Sequence, residues 1–90
     1  MENKNEVYEV LNVYAVYDRV AGVYGEPFVA KKNELAMRRF NYIMSNAVMV
    51  ANDCELYLIG YYTPDLGQIG LTSCGKPEFV CKYVGDVNEA

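Results

Sequence analysis

Four basic side chains lie close together in the sequence of an acidic chain. They are Lys31, Lys32, Arg38 and Arg39. The whole chain has 8 Lys and Arg and 12 Asp and Glu, which gives a net charge of −4. At the start of a helix, such cations and the free N–H groups could hold an anion such as a phosphate. The alternative is a hydrated helix face balanced by nearby glutamates, because most Lys and Arg side chains are exposed. We favour the hydrated face and keep the four residues as candidate contacts for nucleic acid or another anion.

Catalytic chemistry has few candidates in this chain. The sequence contains no histidine, which is the most common general acid or base near neutral pH. Asp18, Asp53 and Asp65 each fall at a strand end or turn, where Asp side chains accept local backbone hydrogen bonds. Cys54 is a conceivable nucleophile, but no base accompanies it. We therefore expect no catalytic residue and no enzymatic activity.

The cysteines do not follow a metal-binding or disulfide pattern. Cys54, Cys74 and Cys81 are odd in number and lack the C-x-x-C spacing of a zinc site. The segments GVYG and GQIG lack the lysine and the spacing of a phosphate-binding loop. We expect no metal and no cofactor, and reduced thiols with Cys81 buried in a strand, as in a cytosolic protein.

The length and composition are typical of a small folded protein. Of the 90 residues, 52% are apolar and 22% charged, so we expect residues 1–90 to form a single domain with loose tails at 1–7 and 85–90. No apolar run approaches the ~20 residues of a membrane span, and no signal peptide is visible. These features predict a soluble, intracellular protein without a membrane partner. The negative net charge disfavours general coating of nucleic acid, which needs a basic field.

Hydrophobic periodicity predicts the element order β-β-α-β-β-β. In residues 7–18 both alternating faces are apolar, as in a strand that is covered on both sides or lies at an interface. Residues 22–30 form a second strand, which is at an edge or bulged because Pro27 has no N–H group. Residues 55–73 are predicted to form a hairpin with a left-handed glycine in its turn, and residues 78–84 the last strand.

One helix is predicted after the second strand. Asn33 suits the N-cap position, and the helix is expected to end near residues 46–48, followed by a loop over 48–53. An apolar stripe with helical spacing comprises Ala36, Phe40, Ile43, Met44 and Ala47. A helix across one face of a small, mainly antiparallel sheet is the simplest architecture for this order, which places the chain in the α+β class.

Nine tyrosines without a tryptophan are a further unusual feature. Tyrosines on a sheet can stack unpaired bases in single-strand-binding modules, or they can form a protein interface. The tyrosine-bearing strands carry acidic rather than basic residues, so we favour core packing or a protein interface. The sheet face away from the helix, with Tyr14 and Tyr57, is a candidate dimer surface, and Tyr61, Pro27 and Phe28 are further candidate contacts.

The order and spacing of several segments resemble a known viral family. The segments are NVYAVYD at 12–18, G-x-Y-x-x-P-F-x-A at 22–30, N-E-x-A-x-R-x-F at 33–40, DCELYLIGYY at 53–62, TPDLGQI at 63–69 and KPEFV at 76–80. Together they resemble the small nonstructural protein of the gokushovirus branch of Microviridae, which are single-stranded DNA bacteriophages. No single segment is specific, and the residues before Asn12 depart from the usual start of that family.

The resemblance implies a phage accessory protein that is absent from the mature capsid. Such proteins are likened to the C protein of the coliphage microviruses, which acts in the switch from duplex replication to single-strand synthesis. The implied partner is a phage or host replication protein in the host bacterial cytoplasm, and no catalytic residues carry over. We expect a homo-oligomer, a dimer, that acts by protein–protein contact. The alternatives are a single-stranded DNA-binding module that uses the basic residues and tyrosines, and an inhibitor of a host protein.

Overall fold

The structure consists of an antiparallel sheet with two helices on one side. A computed structural model describes residues 7–83. The elements in chain order are β1 (Leu11–Asp18), β2 (Val23–Tyr24), β3 (Phe28–Ala30), α1 (Asn33–Ser45), α2 (Val48–Ala51), β4 (Cys54–Thr63), β5 (Gln68–Leu71) and β6 (Glu78–Lys82). The strand pairs of this region are all antiparallel, which confirms the predicted fold class. Apart from Val7, the predicted loose tails lie outside the described residues.

Strands β1 and β4 form the centre of the sheet. Short strands β2 and β3 both pair with β1, and β5 and β6 both pair with β4. The predicted second strand is thus divided in two, and the interruption includes Pro27, which cannot donate a ladder hydrogen bond. Within it, the Gly25 N–H donates to the Val16 carbonyl at 2.8 Å, so the interrupted chain stays attached to β1.

Two β-bulges interrupt the alternation of side chains, one in the central strand β4 and one in the edge strand β6. Ile59 is left unpaired between the pairs Val13–Gly60 and Tyr14–Leu58, and Val80 is left unpaired beside Tyr57–Phe79. Because side chains alternate along a strand and a bulge adds one residue, each bulge reverses the later pattern. Before the bulge in β4, Leu56 and Leu58 face the helices and Tyr57 lies on the other face. After the bulge at Ile59, Tyr61 faces the helices and Tyr62 lies on the other face.

The core lies between α1 and the sheet. Its largest fully buried side chains are Tyr14, Phe40 and Leu56. Ala36, Phe40 and Met44, spaced by four residues along α1, are all buried, because residues at i and i+4 lie on one helix face. The predicted stripe is correct at these positions, whereas Ile43 lies at the solvent edge of the helix.

Three local predictions are wrong. Lys32, not Asn33, occupies the N-cap position of α1, because the Asn33 side chain is engaged by a sheet residue. Residues 48–51, expected as a loop, form the single turn of α2, whose Ala51 is buried in the core. Cys81 is only half-buried, since β6 lies at the sheet edge. The hairpin turn is as predicted, with Gly67 at a left-handed φ of 63°.

Within residues 7–83 no helix is long and apolar enough to cross a membrane.

Gly60 of β4 lies so close to β5 that an added Cβ would collide with the carbonyl oxygen of Gly70. A side chain at position 60 therefore has no room unless the β4–β5 hairpin separates.

We expect Gly60→Ala to lower the free energy of unfolding by about 1–3 kcal/mol, because the added methyl group overpacks against rigid backbone. Gly70→Ala is the matched control, since a Cβ at Gly70 meets no atom within 4 Å. Urea unfolding followed by circular dichroism measures both variants. Equal stability of the two variants would show that the close approach of β4 and β5 is absent.

Candidate functional site

The sheet face turned away from the helices is uncovered by other described elements. We call it the open face. The strand register places four rows of residues across it: Ile69, Tyr62 and Leu11; Leu71, Gly60, Val13 and Val29; Phe79, Tyr57 and Ala15; Lys82, Glu55, Tyr17 and Tyr24. Ile69 and Leu71 are each 73% exposed. Val13 and Ala15 at its centre are buried among larger neighbours. The open face is therefore an apolar and aromatic surface whose outer side chains the fold leaves exposed.

Four rings form an aromatic cluster at one end of the open face: Tyr17, Tyr24, Tyr57 and Phe79. The ring centroids of Tyr17 and Tyr24 are 4.7 Å apart, and those of Tyr57 and Phe79 are 5.7 Å apart. Tyr57 meets the other three rings edge-on, an arrangement that matches the charge distribution of aromatic rings. These contacts hold the four rings against one another within the chain itself.

The hydroxyl of Tyr57 is held by a carboxylate of the same strand. It donates a hydrogen bond of 3.1 Å to Glu55 Oε1. Burial raises the pKa of Tyr57, and the hydrogen bond and negative charge of Glu55 raise it further. Tyr57 therefore stays neutral at physiological pH and presents an aromatic, uncharged surface.

The other end of the open face contains a shallow apolar cavity of about 210 Å³. It lies over the small central positions of the sheet and is lined by Val13, Pro27, Phe28, Val29, Tyr62 and Ile69. None of these side chains carries a charge, so the cavity suits an apolar side chain rather than a polar ligand.

The prediction that Tyr14 lies on the open face is wrong. Tyr14 is fully buried beneath α1, where its hydroxyl donates to Asn33 Oδ1 at 2.6 Å and accepts from Asn12 Nδ2 at 2.9 Å. Burial raises the pKa of Tyr14. Because both alternating faces of this strand are apolar, the sequence does not show which face the helix covers.

The other predicted contact residues divide between the two sides of the sheet. Tyr57 lies on the open face, but Tyr61 and Phe28 pack against the core on the helix side. Phe28 stacks on Tyr14 with ring centroids 5.8 Å apart. Pro27 is exposed and reaches the edges of both faces.

The predicted basic cluster does not converge on one point. Lys31 Nζ lies 3.7 Å from Glu9 Oε2, and the Arg39 guanidinium lies 4.6 Å from the centre of the Phe28 ring. Lys32 and Arg38 are exposed, at the start and middle of α1. Arg38 and Arg39 are thus on the opposite side of the sheet from the aromatic cluster.

Arg39 also borders a second cavity, of about 280 Å³, between α1 and the β2–β3 segment. Val16, Phe28 and Ile43 contribute its apolar lining, and Glu26 brings a negative charge to the same cavity. The acidic neighbour weakens the attraction that Arg39 alone would exert on a phosphate.

The acidic candidates have structural roles. Asp18 Oδ1 accepts hydrogen bonds from the Val20 and Ala21 amides, as predicted for a turn. Arg19 lies 3.9 Å from Asp53 and 3.5 Å from Glu55, and so joins the end of β1 to the start of β4. Sequence reasoning missed Arg19, because only the antiparallel pairing of β1 and β4 brings these distant residues together.

Cys54 lies in the core, where burial raises the pKa of its thiol and the nearby Asp18 and Asp53 raise it further. Since the thiolate is the reactive form, a raised pKa makes this thiol a weak nucleophile. Among residues 7–83 no three Cys, Asp or Glu side chains are grouped as a metal site would require.

We expect Tyr14→Phe to lower the free energy of unfolding by about 1 kcal/mol at neutral pH, because two side-chain hydrogen bonds are lost. A raised folded pKa stabilises the protein below pH 10, and this contribution disappears as the pH rises above 10 through the folded pKa. The variant should therefore lose less stability than the wild type above pH 10. Tyr42→Phe, at a 71% exposed position, is the control. Urea unfolding measures the free energy of unfolding at each pH, and the same values for Tyr14→Phe and Tyr42→Phe at every pH would contradict the expectation.

Comparison with known proteins identifies the origin of the chain. Residues 11–85 match the family described as Phage ORF5 protein. No curated protein and no solved structure matches the chain. The matched range contains every strand and both helices described above. This chain therefore belongs to the Phage ORF5 protein family and is a bacteriophage protein.

Proposed function

We propose that this phage protein is a nonstructural accessory factor of viral genome replication that acts by binding other proteins. Its role would lie in the switch from duplex replication to single-stranded DNA synthesis, in the host bacterial cytoplasm. The main support for binding to proteins is the open face, which presents packed aromatic rings and exposed aliphatic side chains. Exposed apolar surface of this kind is typical of protein interaction sites.

The replication role and a gokushovirus source within Microviridae rest on the segments at 12–40 and 53–80. Membership of the Phage ORF5 protein family supports a phage protein, and the order of those segments supports the narrower assignment. The C-protein-like role follows from that assignment. A chain with a net charge of −4 suits an adaptor that engages a replication protein rather than DNA itself.

Catalysis is not part of the proposed role. The one buried thiol of the core, Cys54, has a raised pKa, and the Asp18 carboxylate is engaged in a turn. A general base near neutral pH would need a titratable group in a cleft. On the open face the pKa of Tyr57 is raised, and Glu55 is already engaged by Arg19 and by the Tyr57 hydroxyl.

Single-stranded DNA binding is the second candidate, favoured by the aromatic cluster, because stacked bases bind to rings on a sheet. Such a platform works together with cations that hold the phosphates. Here Arg38 and Arg39 are on α1, across the sheet from the cluster, and Arg39 is stacked on Phe28. This separation favours a protein partner over an oligonucleotide.

A fluorescence-anisotropy titration with a single-stranded oligonucleotide at low salt tests the two candidates. We expect little or no binding, because Arg38 and Arg39 lie across the sheet from the aromatic cluster. The cations beside the cluster, Arg19 and Lys82, both lie next to the carboxylate of Glu55, which opposes a phosphate. Binding that weakens steeply with salt, and that is lost in an Arg38→Ala, Arg39→Ala double variant, would instead establish the DNA-binding function. Circular dichroism of the double variant serves as the folding control.

Affinity capture from phage-infected cells tests the partner. We expect the wild-type chain to recover a phage or host replication protein. Leu71→Lys should recover less, because a charge on the open face weakens apolar contact there, whether the contact is with the replication protein or between two copies that bind it together. Recovery of a single host enzyme outside replication would support an inhibitor instead. Capture of no replication protein would contradict the proposed function.

A further inference from the structure

We propose that the open face binds the open face of a second copy of this chain, and that the functional unit is a two-fold symmetric dimer with the two sheets face to face. This inference deepens the proposed function, since it rests on protein contact as the mode of action and names one partner. Three properties of the open face favour a second copy: its area, its charge and its shape.

The exposed apolar area suits a dimer of small subunits. The most exposed apolar side chains of the open face are Tyr24, Val29, Ile69, Leu71 and Phe79, between 42% and 73% exposed. They leave on the order of 500 Å² of apolar surface uncovered. A standard interface takes about 800 Å² from each partner, of which about 65% is apolar in homodimers. The two apolar areas are therefore similar.

The charge of the open face also suits a second copy. Two copies of a chain with a net charge of −4 repel each other wherever their acidic surfaces meet. Within residues 7–83, the rows of the open face contain two charged residues, Glu55 and Lys82. Glu55 is already paired with Arg19 at 3.5 Å and hydrogen-bonded by Tyr57. Face-to-face contact thus avoids like-charge repulsion, whereas a basic partner would need the acidic surfaces of the chain.

The shape of the open face is complementary to itself. The apolar cavity lies over the rows of Tyr62 and Val13, and the rings of Phe79 and Tyr24 lie in the two rows at the other end. A two-fold axis in the plane of the interface and across the strands exchanges these ends. Phe79 of each copy would then face Leu71 on the same edge of the other sheet, and Tyr57 would face the region of Gly60 and Val13 beside the cavity, with the sheets about 10 Å apart.

A different apolar patch on the same chain provides an internal comparison. Val48, Met49 and Val50 of α2 are exposed, with Met49 at 92%. This patch is short and lies on the helix side. If apolar exposure alone caused self-association, a charge on α2 would weaken the dimer as much as a charge on the open face. We expect only the charge on the open face to do so.

Sedimentation equilibrium of the full chain tests the dimer. We expect the wild type to associate to a dimer, and Leu71→Lys to raise the dimer dissociation constant at least about tenfold, because a buried lysine would lack a partner. Met49→Lys is the matched control, with the same substitution at an exposed apolar residue outside the face, and it should dimerise as the wild type does. Circular dichroism and thermal unfolding verify that each variant folds, and Ile69→Lys replaces Leu71→Lys if the latter does not fold.

A wild type that stays monomeric over the accessible concentrations would overturn the inference. So would a dimer that Met49→Lys disrupts and Leu71→Lys does not. These results are separable from the proposed function: a monomer that still captures a replication protein contradicts the dimer alone, whereas a dimer that captures none contradicts the replication role alone.

Discussion

One long helix can cover only one face of the sheet, and this constraint determines the rest of the molecule. Phe40 and Met44 of α1 bury Tyr14 and Leu56 on one side, and that layer forms the core. The exposed apolar residues on the other side, such as Ile69 and Leu71, have no described element above them, so their burial requires another molecule. The hydrophobic effect that stabilises the fold on one side therefore favours association on the other.

The sheet also separates the arginines of α1 from the aromatic cluster. The cations of α1 lie on the helix side, where Arg39 stacks on Phe28. The aromatic cluster lies on the open face, where Glu55 accepts a hydrogen bond from Tyr57 and forms an ion pair with Arg19. A nucleic-acid platform needs rings and cations together, whereas a protein interface needs a dry centre with few charges. The open face has the second composition.

Much of the fold follows from periodicity in the sequence, because the helix period of α1 and the turn residues around Gly67 are local signals. The choice of face does not follow, because both sides of β1 are apolar and either could meet the helix. The bulge at Ile59 has no signal in the sequence, yet it reverses the alternation of β4 and places Tyr61 on the helix side. The site was therefore predictable in kind, as aromatic surface, and only partly in its residues.

Hydroxyl-radical footprinting of the chain in infected-cell extract, compared with the dilute purified chain, tests most directly whether the open face is the contact surface. We expect protection of Ile69, Leu71 and Phe79, which are exposed in the free chain, with little change at Met49. Unchanged oxidation of those three residues, or protection confined to the basic side of α1, would contradict it.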